Sequence, residues 1–448
     1  MLSSKKVSWV LLAASAVLAG PALAQSQGQA NSPYSRLGLG DYAGNIGGVR
    51  QFGMGGTGLA APNTGNVNEL NPALLTYTPR TTWEAAFNAE VKTTRTATAF
   101  HRTGSGTLGY LALAVPLSRR WAGAVGLKPF STVAYDATTT GAVQGDPLST
   151  AYKQYSGTGG LTEAYFATGI HVLRDLNLGG SASYLFGTID QTVGTAILIP
   201  ATAVTPTAVT QRVVDEELLR YSDFLFRASA HYRHKVTKDL NLNLGVVHSF
   251  QASLGVRRDR TSDQRDANGS VLANSLVTQT EVKGYTLMPA QTQVGISVDN
   301  SRNWAVNADG SYQQWSKYRS FSQLATTQQL ADTWRVAAGG EYTPDPGSVD
   351  RYMKRVTYRV GLSLARMPYA PQGENLYDRA VYWGFALPLP TGTPLESTTI
   401  NLGFAYGIRG NTNYVLGNAT GSNVRESYLR MQVAATLGNR WFIKRRLQ

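Results

Sequence analysis

The polypeptide has 448 residues, a net charge of +13 from 41 Lys and Arg against 28 Asp and Glu, and no cysteine. The lack of cysteine excludes disulfide frameworks, thiolate chemistry and cysteine-ligated metal sites. The basic residues are scattered over predicted turns and loops without an arginine–aromatic module. This pattern argues against a nucleic-acid partner and favours attraction to an anionic surface.

The first 24 residues have the pattern of a secretory signal peptide. Lys5 and Lys6 precede the apolar run VSWVLLAASAVLA, and Ala22-Leu23-Ala24 provides an A-x-A cleavage site. The run is shorter than the roughly 20 residues that a membrane-spanning helix needs. No later stretch approaches such a helix, and the mean hydropathy is −0.19. We therefore expect residues 1–24 to be cleaved and the mature protein to leave the cytoplasm.

The next segment, 25–79, is predicted to be irregular. Residues 38–58 contain nine glycines and few runs able to form regular structure. The stretch GMGGTG at 53–58 has the spacing G-x-G-x-x-G, but a dinucleotide site needs a strand before it and a helix after it, whereas Pro62 and a polar stretch follow. We expect no cofactor here, and a tightly turning plug accounts for the glycines.

Residues 80–438 consist of alternating apolar and polar ribbons that are separated by two kinds of connection. Short turns near 118–120, 174–175, 237–239, 300–302, 345–347 and 390–392 alternate with longer polar segments near 93–105, 137–160, 191–218, 257–283, 316–330, 368–378 and 410–423. Fourteen strands fit between them. The stretches RDLNL and KDLNL begin 64 residues apart, which is one cycle of strand, loop, strand and turn.

This arrangement is typical of a transmembrane β-barrel, which has an even number of strands of about 9 to 11 residues, short periplasmic turns and an apolar outer face. A soluble β-sandwich also alternates, but its strands average about 5 to 6 residues and no second layer is evident. A barrel of fourteen strands is wider than side chains alone can fill. The predicted fold is therefore all-β, a 14-stranded antiparallel transmembrane β-barrel with an N-terminal hatch, or plug, in its lumen.

The lead into the first strand resembles the long-chain fatty-acid transporter (FadL) family of outer-membrane proteins. That family carries an Asn-Pro-Ala motif in its hatch just before the first strand. Asn71, Pro72 and Ala73 occupy this place in GMGGTGLAAPNTGNVNELNPALLTYTPRTTWEAAFNAE. Three more stretches match in order: VPLSRRWAGAVGLKPFSTVAY, MPAQTQVGISVDNSRNWAVNADGSYQQWS and DTWRVAAGGEY.

Two features depart from the family pattern. The predicted long loops match no part of it, so the resemblance transfers no ligand-binding residue. The basic tail 439–448 continues as NRWFIKRRLQ beyond the usual final aromatic residue of the barrel. The resemblance implies an integral protein of the Gram-negative outer membrane that contacts outer-membrane lipid and lipopolysaccharide and takes a hydrophobic small-molecule ligand.

No pattern predicts catalysis or a metal site. His231 and His234 in HYRH are three residues apart, so strand alternation places them on opposite faces and one ion cannot bind both. His101, His171 and His248 lie in no nucleophile motif. A long-range serine or water site could still form, but we expect no catalytic residue, no metal and no enzymatic activity.

The polar faces of the strands carry a sparse set of charges, namely Glu84, Glu90, Lys128, Glu163, Asp223, Arg227, Asp309, Arg335, Glu341 and Arg359. Pairing with one another or with the plug would avoid the cost of unpaired buried charge. The alternative is that Lys128, Arg227 or Arg335 binds the carboxylate of a ligand.

The third ribbon contains GLKPF, with Gly126, Pro129 and Phe130 at a predicted kink. Proline lacks an amide hydrogen, and a nearby glycine permits a bulge, so this site interrupts a closed wall. Pro116 on the preceding strand is expected to weaken the same region. The family resemblance implies that ligand leaves sideways at such a kink.

The predicted function is uptake of hydrophobic small molecules, such as long-chain fatty acids or hydrocarbons, through the plugged barrel without chemical change. The alternative is a role in secretion or surface attachment, because some proteins similar to this family serve type IX secretion and engage secretion-system proteins.

Overall fold

A computed structural model describes residues 32–42, 46–143, 146–199, 208–266, 270–273, 276–324, 330–391, 396–413 and 423–439. The predicted signal peptide, and residues 440–448 of the predicted tail, lie outside the described residues. No described helix is long and apolar enough to cross a membrane.

The described residues form a sheet of seventeen strands: β1 (Asp41–Tyr42), β2 (Thr81–Arg95), β3 (Phe100–Pro116), β4 (Trp121–Val143), β5 (Asp146–Leu173), β6 (Leu176–Ile199), β7 (Ala208–Lys235), β8 (Asn241–Ser249), β9 (Ala252–Asp266), β10 (Val277–Met288), β11 (Gln291–Asp299), β12 (Trp304–Gln313), β13 (Thr333–Tyr342), β14 (Thr357–Arg366), β15 (Tyr377–Leu389), β16 (Ser397–Gly410) and β17 (Arg425–Asn439). Short α-helices span Val49–Gly53 and Tyr352–Arg355, and 3-10 segments span Pro33–Arg36, Pro72–Tyr77, Trp315–Lys317 and Pro371–Gly373.

The sheet closes into a barrel because the last strand pairs with the first strand of the wall. Register between β17 and β2 runs from Arg425↔Arg95 to Asn439↔Thr81. Strands β8 and β9 both pair with β7, so together they form one interrupted strand of the wall. Strand β10 pairs with β9 and β11 pairs with β8, so β10 and β11 form the next interrupted strand. The wall therefore has the fourteen antiparallel strands that the sequence predicted.

The outside of the wall is apolar and the inside is polar. Trp83, Phe87 and Val91 are exposed on one face of β2, whereas Glu84 and Ala86 on the other face are buried. The same alternation exposes apolar residues of other strands, among them Phe224, Phe226, Tyr232, Val336 and Tyr342. A continuous apolar belt of this kind suits lipid, because isolated exposed apolar side chains, not belts, are normal in water.

Four neighbouring strands are longer than the sequence predicted. β4, β5, β6 and β7 have 23, 28, 24 and 28 residues, against the roughly 9 to 11 that cross a bilayer. Most of the predicted loops at 137–160, 191–218 and 257–283 are extensions of these strands and of the hairpin β9–β10. Their apolar residues are few and do not alternate regularly with polar ones, so the sequence pattern does not mark these stretches as strands.

The long strands bend at one level of the wall. A register shift between Pro129 and Ser131 leaves Phe130 as a bulge in β4. Next to it, Gly160 has φ +151° and approaches Ser131, where a Cβ would lie 2.4 Å from the carbonyl oxygen. Gly187 on β6 has φ +154° and approaches Gly160 in the same way. Only glycine fits these positions, so the bend continues from β4 across β5 to β6.

Candidate functional site: the lumen and the interruption between β3 and β4

The N-terminal segment, defined as residues 32–42 and 46–79, contacts inward-facing groups on strands all around the wall. Asp309 on β12 accepts the backbone N–H groups of Gly58 at 2.8 Å and Leu59 at 3.0 Å. Glu84 on β2 accepts the N–H of Val67 at 3.0 Å. The carboxylates thus satisfy amides of an irregular segment that has no ladder of its own.

A buried ion pair adds to these contacts. Arg50 is 2% exposed and binds Glu341 of β13 at 2.6 Å, and Arg359 of β14 binds the same carboxylate at 3.2 Å. Arg50 also donates to the carbonyl oxygen of Ala61 at 3.2 Å. Glu341 and Arg359, two of the predicted inward charges, therefore pair with each other and with the N-terminal segment.

The Asn-Pro-Ala motif is completely buried and begins a 3-10 segment. The Oδ1 atom of Asn71 accepts the N–H of Ala73 at 3.0 Å, and its Nδ2 atom donates to the carbonyl of Leu59 at 2.8 Å. Pro72 occupies the first position of the segment, where its missing N–H leaves no donor unpaired. The motif thus joins two stretches of the N-terminal segment that lie twelve residues apart.

Wall glycines let this motif approach the backbone of the barrel. A Cβ on Gly179 would lie 2.3 Å from the nitrogen of Ala73, and one on Gly169 would lie 2.4 Å from the oxygen of Pro72. Gly245 makes a similar approach to Leu59, at 2.7 Å from its oxygen. Side chains at these positions would push the segment away from the wall.

The three predicted ligand-binding cations face the lumen and have protein partners. Arg227 binds Glu163 at 2.5 Å, and Arg335 donates to the carbonyl of Gly55. Lys128 lies 3.4 Å from Glu69 of the N-terminal segment. This last pair is the longest of the three and uses a single ammonium contact.

The carboxyl of Glu69 is a weak partner for Lys128. Burial raises the pKa of Glu69 above its ordinary value, and the Lys128 ammonium offsets only part of that effect. The phenol of Tyr165 donates to the same carboxyl at 3.3 Å. Glu69 is therefore held by hydrogen bonds as well as by charge.

Sequence reasoning missed a second charge cluster, which fixes the beginning of the N-terminal segment. Arg409 of β16 binds both oxygens of Asp41 at 2.9 Å and Glu426 of β17 at 2.6 Å, and Glu426 also accepts from the hydroxyl of Ser32 at 2.7 Å. Burial opposes ionisation of Asp41, but Arg409 and Lys92 hold its pKa well below the ordinary value. Tyr406 is exposed on the outer face of β16, and Arg409, three residues later, must therefore face the lumen; this signal was available in the sequence. No local pattern predicted that Asp41 would be its partner.

The predicted kink lies where the wall is interrupted. In the continuously described stretch 46–143, the ladder between β3 and β4 has six pairs, from Pro116↔Ala122 to Leu111↔Leu127. Beyond Leu127, β4 stays paired with β5. The part of β3 that precedes the ladder, from Phe100 to Leu108, stays paired with β2. Gly126 is thus in the last pairs of the ladder, and Pro129 and Phe130 lie just past its end.

Pro116 does not contribute to this interruption, contrary to expectation. It is the last residue of β3 and pairs with Ala122 at the opposite end of the ladder, beside the short turn that leads to β4. Pro129 comes eight residues after the start of β4 at Trp121. At about 3.3 Å per residue and a tilt of about 40°, this is about 20 Å along the membrane normal, within an apolar band about 25 Å tall.

Part of the free edge of β4 above the interruption is covered by the N-terminal segment. Strand β1 pairs antiparallel with β4 through Asp41↔Thr132 and Tyr42↔Ser131. The N–H of Ser32 donates to the carbonyl of Ala134 at 2.8 Å. These contacts place β1 on the β4 edge just past the point where pairing with β3 ends.

A cavity of about 430 Å³ lies in the lumen against this interruption. Its lining combines aromatic and aliphatic side chains with the charged groups described above. The residues that border the interruption are Ser105, Thr107, Gly109 and Tyr110 of β3, Lys128, Pro129, Phe130 and Thr132 of β4, and Gly40 and Asp41 of the N-terminal segment. Across the cavity the lining includes Phe52, Trp315, Trp334, Met367, Tyr369 and Tyr382.

The two histidines of HYRH lie on opposite faces, as the alternation predicted. His231 is buried against Asn177, with Nδ1 at 3.2 Å from its amide nitrogen, and its ring meets Tyr77 edge-on. His234 is exposed on the outer face. Their separation precludes a shared ion at this position.

Comparison with known proteins places the fold. A family model described as BamG matches residues 5–448. No curated protein matches the chain. Among solved structures, the monoaromatic hydrocarbon channel CymD has 15% identity over 90% of this chain and 99% of its own, with a TM-score of 0.52.

Two further solved structures show the same likeness. The toluene transporter TodX of Pseudomonas putida has 16% identity, covers 88% of this chain and 98% of its own, and gives a TM-score of 0.56. A FadL homologue of Pseudomonas aeruginosa has 13% identity, covers 87% and 97%, and gives 0.56. The chain therefore belongs to the BamG family and has the outer-membrane β-barrel fold of the FadL-type channels and transporters.

Proposed function

We propose that this protein takes up hydrophobic small molecules, such as long-chain fatty acids or hydrocarbons, by diffusion and without chemical change. In this proposal the N-terminal segment is the hatch that blocks the lumen to polar solutes. The ligand occupies the cavity and leaves sideways between β3 and β4 into the membrane. The observation that carries the proposal is that the cavity is bordered by both edges of the interrupted ladder.

The chemistry of the cavity suits an amphipathic ligand. Its aromatic and aliphatic walls favour an apolar body by roughly 25 cal/mol for each Å² removed from water. A carboxylate at one end of the ligand would replace Glu69 at Lys128, which lies next to Pro129. A neutral hydrocarbon needs no such exchange, and Lys128 then stays with Glu69.

Sideways release avoids a long polar path. The lower lumen is filled by the buried hatch and its ion pairs, such as Arg50 with Glu341, and an apolar molecule would lose contact with apolar surface there. At the interruption the same molecule passes directly to lipid. A gap in the ladder is tolerated because the hatch residues Asp41 and Tyr42 satisfy part of the β4 edge.

Uptake of a labelled long-chain fatty acid tests the proposal. Pro129→Val supplies the amide that Pro129 lacks and favours extension of the β3–β4 ladder past Leu127, so uptake should slow. Pro116→Val is the matched control, since Pro116 lies at the other end of the ladder. Both variants should migrate in the heat-sensitive manner of an assembled barrel. Uptake by assembled Pro129→Val equal to that of the parent would reject lateral release at this position.

A second candidate function is a role in secretion or surface attachment. Lys128, Arg227 and Arg335 all have internal partners, so a charged ligand must displace one of them, which weakens the case for fatty-acid uptake and makes this alternative worth testing. Native mass spectrometry of the purified protein separates the two functions. A bound lipid or hydrocarbon favours uptake, whereas a stoichiometric exported protein or a secretion-system protein favours the alternative.

A further inference from the structure

Three basic side chains lie side by side on three neighbouring strands of the outer face. Arg257 of β9 pairs directly with Arg220 of β7 on one side and with Lys283 of β10 on the other. Paired residues point to the same face of a sheet, and all three of these residues are exposed. The exposed Thr188 of β6 pairs with Arg220 and adds a hydroxyl group. These four residues are called the cation row below.

The cation row lies at the edge of the apolar belt. Phe224 shares the face of Arg220 and lies four residues closer to the belt, and Tyr285 lies two residues closer to it than Lys283. Their exposed fractions are 53% and 71%. At about 3.3 Å per residue and a tilt of about 40°, the row stands about 5 to 10 Å beyond these rings. It is on the side of the long strand extensions, which is the extracellular side of outer-membrane barrels.

Aromatic rings cover the wall directly below the row. The ring of Tyr184 lies 5.8 Å from that of Phe186 and 5.1 Å from that of Phe224, and Phe226 lies 6.4 Å from Phe224. All four side chains are exposed on the outer face. Hydrogen-bond donors and apolar surface therefore follow one another along the same strands, in the order of the headgroup and the acyl chains of a lipid.

The cations of the row repel one another, because like charges that are directly opposite on neighbouring strands destabilise a sheet. Arg220 binds Asp259 at 2.7 Å, and the same carboxylate accepts the backbone N–H of Glu281 at 2.7 Å. Within the described part of the chain, no ion pair includes Arg257 or Lys283. Three acids lie two residues further from the apolar belt on these strands: Asp190, Asp259 and Glu281. An anion that reaches the row from the membrane side would offset the remaining repulsion.

We propose that the cation row binds a phosphate group of lipid A, the phosphorylated glycolipid that anchors lipopolysaccharide in the outer leaflet. The guanidinium groups of Arg220 and Arg257 can each donate two N–H groups to phosphate oxygens, and Lys283 adds a compact charge. The acyl chains then lie against the aromatic rings below. The site is outside the lumen, so it does not depend on the proposed uptake.

Native mass spectrometry of the full chain in detergent with diphosphorylated lipid A tests the site. We expect the parent to bind it, and Arg257→Gln to bind it about tenfold more weakly, since one hydrogen-bonded charge contributes about that factor. Neutralising the whole row should abolish measurable binding; this variant combines Arg220→Gln, Arg257→Gln and Lys283→Gln. The control removes three exposed cations from short turns at the other end of the barrel and should bind like the parent; it combines Arg119→Gln, Arg120→Gln and Lys238→Gln.

Thermal unfolding gives a second measurement. Without lipid, the variant that lacks the whole row should unfold at a temperature no lower than that of the parent, because the repulsion is gone. Lipid A should raise the unfolding temperature of the parent and of the control, but not of this variant.

Three results would each overturn the proposal. The first is equal binding of lipid A by the parent and by an assembled variant that lacks the row. The second is equal binding of the parent to lipid A stripped of its phosphates, which would assign the binding to the acyl chains. The third is displacement of lipid A by inorganic phosphate at an equal concentration, which would make free phosphate the ligand.

Discussion

Small residues in the wall determine how closely the N-terminal segment packs against it. Gly169, Gly179 and Gly245 leave room for the backbone around Asn71 to touch the barrel. Asn71 in turn supplies the hydrogen bonds that an irregular segment lacks. The N-terminal segment is therefore held at Asn71 both by close contact of its backbone with the wall and by the hydrogen bonds of the Asn71 side chain.

Adding one methyl group at Gly179 should loosen the hatch. The new Cβ would lie 2.3 Å from the nitrogen of Ala73 and 2.6 Å from the carbonyl carbon of Pro72, so backbone must move at a cost of about 1 to 3 kcal/mol. We expect Gly179→Ala to lower the unfolding temperature and to raise entry of small polar solutes in liposome-swelling assays.

Gly194→Ala is the control on the same strand, because a Cβ there meets nothing within 4 Å. It should match the parent in both measurements. Equal permeability of the parent and an assembled Gly179→Ala barrel would mean that contact at this glycine does not seal the lumen.

The sequence predicted which residues face the lumen better than it predicted their partners. Alternation alone places Lys128, Arg227 and Arg335 inside. Their contacts depend on how the N-terminal segment folds, and Arg409 binds Asp41, which lies 368 positions away in the sequence. No local pattern carries information about a pair so far apart.

At the scale of elements, β4 combines three roles. It ends its ladder with β3 at Leu127, bulges at Phe130 and accepts β1 on its free edge. The proline and glycine of GLKPF predicted an irregularity here, because each has a direct effect on strand pairing. The pairing with β1 was not predictable, since a strand of two residues has no detectable period.

Deleting residues 31–70 should open the lumen to polar solutes. The deletion removes the partners that the N-terminal segment supplies to Asp309, Glu84 and Glu341, and water can solvate these carboxylates once that segment is gone. We expect an assembled barrel, shown by heat-sensitive migration, with increased sensitivity to small polar antibiotics.

Deleting residues 346–349 in the exposed turn between β13 and β14 serves as the control, because this turn lies outside the lumen. Its permeability should equal that of the parent. An assembled barrel that lacks 31–70 yet admits no more solute than this control would contradict the hatch proposal.

At the scale of the whole molecule, the barrel follows from the need to pair every backbone group that faces lipid. Because of that need, the number of strands, their alternation and the length of the turns all leave a pattern in the sequence, and fourteen strands were predicted correctly. Outside the membrane, water can pair with backbone groups and no apolar outer face is required, so strands there leave no such pattern. The extensions of β4–β7 are therefore the part of the architecture that sequence reasoning missed.

The most direct test of the central proposal is to bridge the interruption between β3 and β4. The chain has no cysteine, so Thr107→Cys with Thr132→Cys places two unique thiols at the border of the cavity on either side of the interruption. A bismaleimide with a reducible spacer should join them. Leu113→Cys with Val125→Cys, which form a registered pair inside the ladder, is the control.

The measurement is uptake of a labelled long-chain fatty acid before cross-linking, after it and after reduction. Lateral release predicts that the bridge between positions 107 and 132 stops uptake, that reduction restores it, and that the bridge between positions 113 and 125 has no effect. Undiminished uptake through a barrel that is fully cross-linked between positions 107 and 132 would contradict the account.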